Sequence, residues 1–451
     1  MKMIIFALAA FVALALAPAV QLFAEVTGFG HEAARKTELF GKAFAEIAGA
    51  HLRNHMAETG LMLGANTLTG LIPTMFQALD TVSREAVGFI PAVARNSSGE
   101  KAALGQVITI PVTPQGSLID ITPGTTPANT GDQAIVPNTM TISKSKAYEV
   151  KWGGEEQRSQ INAGTFNTTL LDQFTQGFRT LANAVEADLA ALAIGASRAY
   201  GTAGTTPFGT AADLSDFAQS RKILIDNGAP QTDLQMVMNT TAAANLRGKQ
   251  AGLFKVNEAG SDILLRTGSI ALPVDGFYPH ESGQIKTFTK GTGSGYTSNT
   301  AGYAAGATVI NLITGTGTVL PGDVVTFAGD PNKYVVAVGT AAPGPITLQA
   351  PGLQQALPAS AQAMTVGNSY TGNVAFNRNA IQLITRAPAM PVGPDGKPMD
   401  MADDVIELVD PLSGLVYQVA MYKMYRQIKY EIGLAWGVKA AKNEHIALLL
   451  G

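Results

Sequence analysis

His51 and His55 stand four residues apart, a spacing that puts two imidazoles on one helix face, where they could hold a metal. A zinc protease needs a glutamate between such a pair, and none is present; the chain has only five histidines, so the two read as solvated or structural. GTGSGY at 291–296 has the glycines of a phosphate cradle, but it follows no βαβ strand and opens no helix, so a flexible hinge is expected. GPDGKP at 393–398 lacks the Ser/Thr and spacing of a P-loop, and its prolines disfavour a following helix; it reads as a turn. The adjacent acids Glu155 and Glu156, like Asp403 and Asp404, would diverge on a strand rather than aim at one bond. No nucleophile elbow and no Ser, His and Asp set can be assembled. With zero cysteines, disulfides, thiolate chemistry and Cys-ligated zinc are excluded. The sequence offers no enzyme: no catalytic, cofactor-binding or metal-ligating residue is expected.

What remains is a scaffold. A length of 451 residues exceeds one ordinary core and predicts two or three domains. Charged residues make up 14% and glycines number 48, so much of the surface must be uncharged, as surfaces that meet other protein are. A net charge of -3 argues against a chain built to neutralise phosphates. The N-terminus, MKMIIFALAAFVALALAPAVQLFAE, has a basic start, an apolar run and small residues at Ala15, Ala17 and Ala19, the pattern of a secretory signal. An apolar helical extension running on through residues 32–55 is the alternative, and 1–62 reads as a leader or extension.

Leu71, Met75, Phe76, Leu79, Val82 and Val87 are spaced for a helix or arm, which Pro91 should break. QVITIPV at 106–112 and TMTISKSKAYEVKWG at 139–153 alternate as strands, and the Pro/Gly/Thr-rich stretch between them is too long for a hairpin turn. A long projecting β-loop is expected. From Phe166 to Ala199 apolar residues recur at steps of three and four, with Thr165 or Asn167 as caps, giving a spine on the order of 50 Å. A second helix covers Asp213 to Asp226, closed by Asn227, Gly228 and Pro230. A buried strand at 234–240 and the helix TAAANLRG then complete an α+β unit. From Lys290 to about Gly372 short strands in a Gly/Thr/Ala background read as a separate small β domain, where GTGTVLPGDVVTFAG makes a β turn around Pro321, Gly322 and Asp323. VAFNRNAIQLITRAP and DDVIELVD resume the main fold, and YRQIKYEIGLAWGVKAA closes it as a long half-buried strand.

This order of elements resembles that of tailed-bacteriophage major capsid proteins. NTTLLDQFTQGFRTLANAVEADLAALA at 167–193 is similar to the spine helix of the coat protein family of short-tailed enterobacterial phages. DGFYPHESGQIKTFTKGTGSGYT at 275–297 resembles that family's entry into its inserted domain, VLPGDVVTFAGDPNKYVV at 319–336 a strand pair inside it, and NVAFNRNAIQLITRAPAMP at 373–391 the return to the main fold. The likeness begins near Leu63; residues 1–62 have no counterpart in it.

The resemblance implies an α+β Hong Kong 97-type capsid fold with a long spine helix, an extended β-loop and an inserted small β domain. It divides the chain into an N-arm (63–104), an extended loop (105–160), a peripheral domain with the spine (161–204), an axial domain (205–285), the inserted domain (286–372) and axial and peripheral return strands (373–451). It further implies a major capsid protein assembling in the host bacterial cytoplasm as pentamers and hexamers of itself into an icosahedral shell, with a scaffolding protein, a portal and room for a decoration protein. The weak net charge fits a wall that binds packaged DNA only weakly. Lys144, Lys146 and Lys151 on the loop's returning strand, with Glu155, Glu156 and Asp323, are the candidates for contacts between subunits. The rival expectation is an exported β-rich surface or adhesive protein, suggested by the leader and the Thr/Gly-rich stretches.

Overall fold

A computed structural model describes residues 68–85, 88–97, 101–111, 137–249, 266, 268, 273–391, 393–394 and 399–451. The leader with His51 and His55, the centre of the β-loop at 112–136 and most of GPDGKP lie outside the described residues. Contacts divide the chain into Met1–Leu71 and Ile72–Gly451. In the first unit the described residues form one 3-10 turn, Leu68–Leu71.

The second unit opens with helix α1, Ile72–Glu85, whose stripe of Met75, Ala78, Leu79 and Val82 is buried, while Phe76 lies off it and is exposed. Pro91 breaks nothing: α1 has ended, and the proline sits in the first turn of a short helix α2, Phe89–Ala92, where a missing N–H leaves no bond unmade. β1 (Ala94–Ser97) follows, then β2 (Val107–Pro111) and β3 (Pro137–Thr141), an antiparallel ribbon in register from Val107 opposite Thr141 to Pro111 opposite Pro137. This ribbon belongs to neither of the two large sheets. β4 (Lys144–Gly153) joins a sheet, and the next residues form helix α3, Gly154–Asn162, so Glu155 and Glu156 lie on a helix rather than a strand.

The spine is α4, Phe166–Ala191, about 39 Å long at 1.5 Å per residue. Leu170, Phe174, Phe178, Leu181, Val185 and Leu189 form its buried face, as their spacing predicts. It stops short of Ala199 because sheet pairing takes over: after the 3-10 turn Leu192–Gly195, β5 (Arg198–Gly201) runs as a strand beside the chain's last strand. Helix α5 (Ser215–Asp226) ends at Gly228 with φ of 74°, the left-handed position that favours glycine, followed by β6 (Leu234–Met238), buried throughout, and helix α6 (Thr240–Lys249).

The remaining strands are β7 (Phe277–Glu281), β8 (Thr287–Phe288), β9 (Tyr296–Thr297), β10 (Val309–Asn311), β11 (Val324–Phe327), β12 (Lys333–Val338), β13 (Pro345–Leu348), β14 (Ala363–Val366), β15 (Tyr370–Asn377), β16 (Ile381–Arg386), β17 (Asp404–Val409), β18 (Val416–Met424), β19 (Gln427–Ala440) and β20 (Ile446–Leu450). A six-stranded sheet runs β1-β16-β19-β18-β17, with β4 also paired to β19. At Ala435 and Trp436 both β4 and β16 pair with β19, so they flank it on opposite edges. A twelve-stranded sheet runs β7-β6-β15-β20-β5-β12-β11-β14-β9.

Two cores follow. Phe217, Leu234, Met236, Phe277 and Leu449 fill one beneath α5 and α6; Tyr296, Val325, Tyr334, Val336 and Ile346 fill another inside 290–372. The latter stretch has its own core yet is not detached, because β12 pairs with β5, Lys333 opposite Ala199, and carries the larger sheet into it. β19 is half buried only near its two ends. From Ile432 to Gly437 every residue is buried, and a Cβ on Gly437 would stand 2.3 Å from the Thr141 carbonyl oxygen, so the ribbon covers the strand's second face.

Candidate functional site

Among the described residues, no group of three or more His, Asp or Glu could hold a metal ion. GTGSGY is not a hinge. The Gly291 N–H donates to the Asp323 carboxylate at 3.0 Å, and a Cβ there would lie 2.2 Å from the Thr318 carbonyl oxygen. Gly291 is required by close backbone crossing, a signal that sequence alone cannot separate from a phosphate loop.

The acids and lysines expected at a subunit contact are mostly engaged within the chain. Asp323 is only 1% exposed and also accepts from the Leu320 N–H at 2.7 Å, so the expectation that it meets a neighbour is corrected: it fastens a turn from inside. Lys144 pairs with Asp188 of the spine, whose other oxygen accepts from Trp436 Nε1 at 2.8 Å. Lys151 pairs with Glu149 at 2.8 Å. The Glu156 carboxylate reaches back to the Gly153 N–H at 2.9 Å, capping α3, while Glu155 lies fully in solvent 4.0 Å from Arg426. Lys146 is exposed on β4. The structure does not gather these six into one patch.

It gathers instead a junction that fixes the base of the β2–β3 ribbon. Lys144, Asp188 and Trp436 tie β4, α4 and β19 together; Lys439 of β19 bonds Asn138 and the Thr139 carbonyl of β3. Farther along the same β4–β19 pair, Lys429 joins Glu149 and Glu431, both at 2.7 Å, and sits 5.3 Å from the Tyr422 ring centroid. Hydrogen bonds from Lys151 and Lys429 bring the Glu149 carboxyl down to about 2. The spine lies close on this sheet because residue 177 is glycine: a Cβ would approach Ile432 and Tyr148 to 2.8 Å. Phe174 meets Tyr430 edge-on at 5.6 Å, and Phe178 meets Tyr417 at 4.9 Å.

Glu186 was not singled out from the sequence. It is 6% exposed in the spine and accepts from the N–H groups of Phe89 and Ile90 at 2.9 and 2.7 Å and from Ser282 Oγ at 3.0 Å. Burial pushes its carboxyl up, against those hydrogen bonds. The signal was available: within LANAVEADLA a carboxylate occupies a position whose helical neighbours Ala182, Val185 and Leu189 are all buried. It joins the spine to the segment leading from α1, and Gly88 stands where a Cβ would lie 2.4 Å from Glu186 Oε2.

Among the described residues, concavities open to solvent include three of note. About 330 Å³ lies between α5 and β12 around Arg198, Lys222 and Lys333; about 220 Å³ lies beside Glu186; and about 890 Å³ lies between α3 and the β18–β19 turn at Arg426. In the first, Arg198 is already held by Asp226 at 3.0 Å and Asn332 at 3.1 Å. Exposed apolar side chains are scattered more widely, with Leu104 and Val107 at the ribbon, Val309, Ile313 and Val338 in the inserted stretch, and Met424 and Tyr425 at the β18–β19 turn.

No protein-family model matches the chain, and no curated protein sequence does. Among solved structures, the capsid of cyanophage P-SCSP1u is 11% identical at a TM-score of 0.42, with 81% of this chain and 88% of that one covered. A virus-like particle from Pyrococcus furiosus is 8% identical at 0.39, covering 84% and 98%, and a protein of Mycobacterium phage Che8 is 13% identical at 0.38, covering 76% and 84%. Likenesses at this level assign neither function nor partner.

Proposed function

We propose that this chain is a capsid protein that assembles with copies of itself into a closed shell around a phage genome. One observation carries the reading. The β2–β3 ribbon packs Met140 and Ile108 against Ile384 and Ala435 of the six-stranded sheet, yet Val107 and the adjoining Leu104 stay exposed, apolar surface of the kind that marks a protein contact. A neighbouring copy supplies the cover it lacks. The base of the ribbon is anchored to the spine through Asp188 and to β19 through Lys439, so a load on the ribbon is passed into the centre of the fold.

The sequence likeness to coat proteins of short-tailed enterobacterial phages supports the finer reading. On it the fold is of the Hong Kong 97 type, residues 63–104 form the N-arm, 105–160 the extended loop, α4 the spine, and 286–372 the inserted domain. Assembly into pentamers and hexamers in the bacterial cytoplasm, a scaffolding protein and a portal come with that reading, as does virion localisation. Shared apolar burial over many heterologous contacts that close into rings would hold the shell.

The test is to express the full chain and residues 63–451 in bacteria and inspect both lysates by negative-stain electron microscopy, with intact-mass measurement. Closed or irregular shells from the cytoplasmic fraction are expected. Soluble monomer in the periplasm, shortened near Ala19, would overturn the reading in favour of an exported surface protein.

A further inference from the structure

Between Gly291 and Tyr370 the chain contains three charged residues, Asp323, Asp330 and Lys333. Both aspartates are buried, at 1% and 6% exposure, and the Lys333 ammonium is bonded to the Gly201 carbonyl. The solvent-facing surface of this stretch therefore presents no free charge. One part of it is also apolar. Val309 of β10 lies opposite Thr347 of β13, which lies opposite Val338 of β12, so the three side chains line up on one face. Alternation along β10 puts Asn311 and Ile313 on that face too, while Ile310 and Leu312 point into the core. Val309 is 51% exposed, Ile313 47% and Val338 58%.

We propose that this outer face of β10, β13 and β12 is a two-fold contact at which two copies of the chain meet face to face. The inference rests on the shell-forming reading and names one of its contacts. A two-fold contact sets a patch against its own image, so residues near the axis meet their like, and any charge there would face the same charge. A face with none avoids that repulsion. A different partner would instead be oriented by complementary charge, and this face offers nothing to steer it. The β-branched, flat surface suits face-to-face burial, and its exposed apolar side chains are those such a contact would cover.

The full chain tests this with two double variants, Val309→Glu with Val338→Glu, and Val309→Lys with Val338→Lys. Opposite charges then meet in a mixed pair whichever of the two positions faces the other. Each variant alone is expected to give at least about tenfold fewer particles than the parent, and a one-to-one mixture to restore them. Unchanged particle yield from either variant alone would overturn the proposal, and so would loss that mixing does not repair. If the parent forms no particles, the shell reading itself fails, a separate result. Because the chain has no cysteine, Val309→Cys, Val338→Cys and a one-to-one mixture of the two, with a single cysteine in each chain, give an independent arm that needs no charge. Treated with a short bis-maleimide inside assembled particles, at least one of the three is expected to yield covalent dimer, and its absence from all of them would refute the contact.

Discussion

Asp323 separates a surface role from an internal one, and its replacement by alanine distinguishes the two. Its carboxylate accepts from Gly291 N–H at 3.0 and 3.2 Å and from Leu320 N–H at 2.7 Å, with the side chain buried. Alanine leaves two backbone donors without a partner. A buried unsatisfied donor costs about 1–3 kcal/mol, and Leu320 is near enough to solvent to recover part of its loss, so destabilisation of about 2–4 kcal/mol is expected. Asp323→Asn keeps one accepting oxygen and turns an amide towards the other donor, which predicts roughly half that loss. Urea unfolding of the full chain, followed by circular dichroism, reads both. The reasoning is refuted if Asp323→Ala unfolds at the parent's midpoint while particles no longer form, because that pattern belongs to a residue that meets a neighbour.

Gly177→Ala should gain about 1 kcal/mol of helix propensity but lose about 1–3 kcal/mol to overpacking against Ile432 and Tyr148, a net loss that Ile432→Val partly repairs by removing the Cδ1 atom at 2.8 Å; a double-mutant cycle measures the coupling. Glu186 is held above its ordinary carboxylate range, so the folded state binds more protons than the unfolded one across that window, and stability should fall as pH rises through it. Melting against pH should show that decline in the parent and a flatter profile in Glu186→Gln, and an identical slope in both would show that another group is responsible. Asp188→Ala orphans Trp436 Nε1 and should cost about 1.5–3 kcal/mol by tryptophan-fluorescence unfolding, whereas Lys144→Ala, removing a partly exposed partner, should cost less than about 1 kcal/mol.

Elements with a strong period were legible in the sequence. The spine's buried face from Leu170 to Leu189, the all-buried β6 and the turn at Gly228 follow from spacing and backbone preference alone. Boundaries set by distant partners were not. Residues 192–199 continue an apolar helical pattern, but a 3-10 turn at Leu192–Gly195 ends the helix, and pairing of β5 with β20 and β12 claims Arg198 and Ala199 for a sheet. Glu155 and Glu156 sit beyond a strong strand pattern, and the helix that holds them is polar, with no buried residue to mark a face. Glycines were the hardest to read. Gly291 and Gly177 are both glycine because something approaches closely, a backbone carbonyl in one case and two side chains in the other, and neither neighbour is near in sequence.

The same logic explains why charge was a poor guide to contact residues. A lysine on a strand beside a helix carrying an aspartate is satisfied within its own chain, as Lys144 is by Asp188, and the Glu149, Lys151, Lys429 and Glu431 network closes on itself. Exposed pairs of this kind contribute little to stability, but they remove charge that a neighbour could otherwise use. What is left facing outward at the ribbon and on β10 and β12 is uncharged and partly apolar. Apolar burial is strong but non-directional, so on the shell reading direction must come from shape. The spine and the sheet beneath it supply that shape: Gly177 and the Asp188 junction hold the spine on β4 and β19, and Gly437 and Lys439 hold the ribbon on β19, the base from which it would meet a second copy.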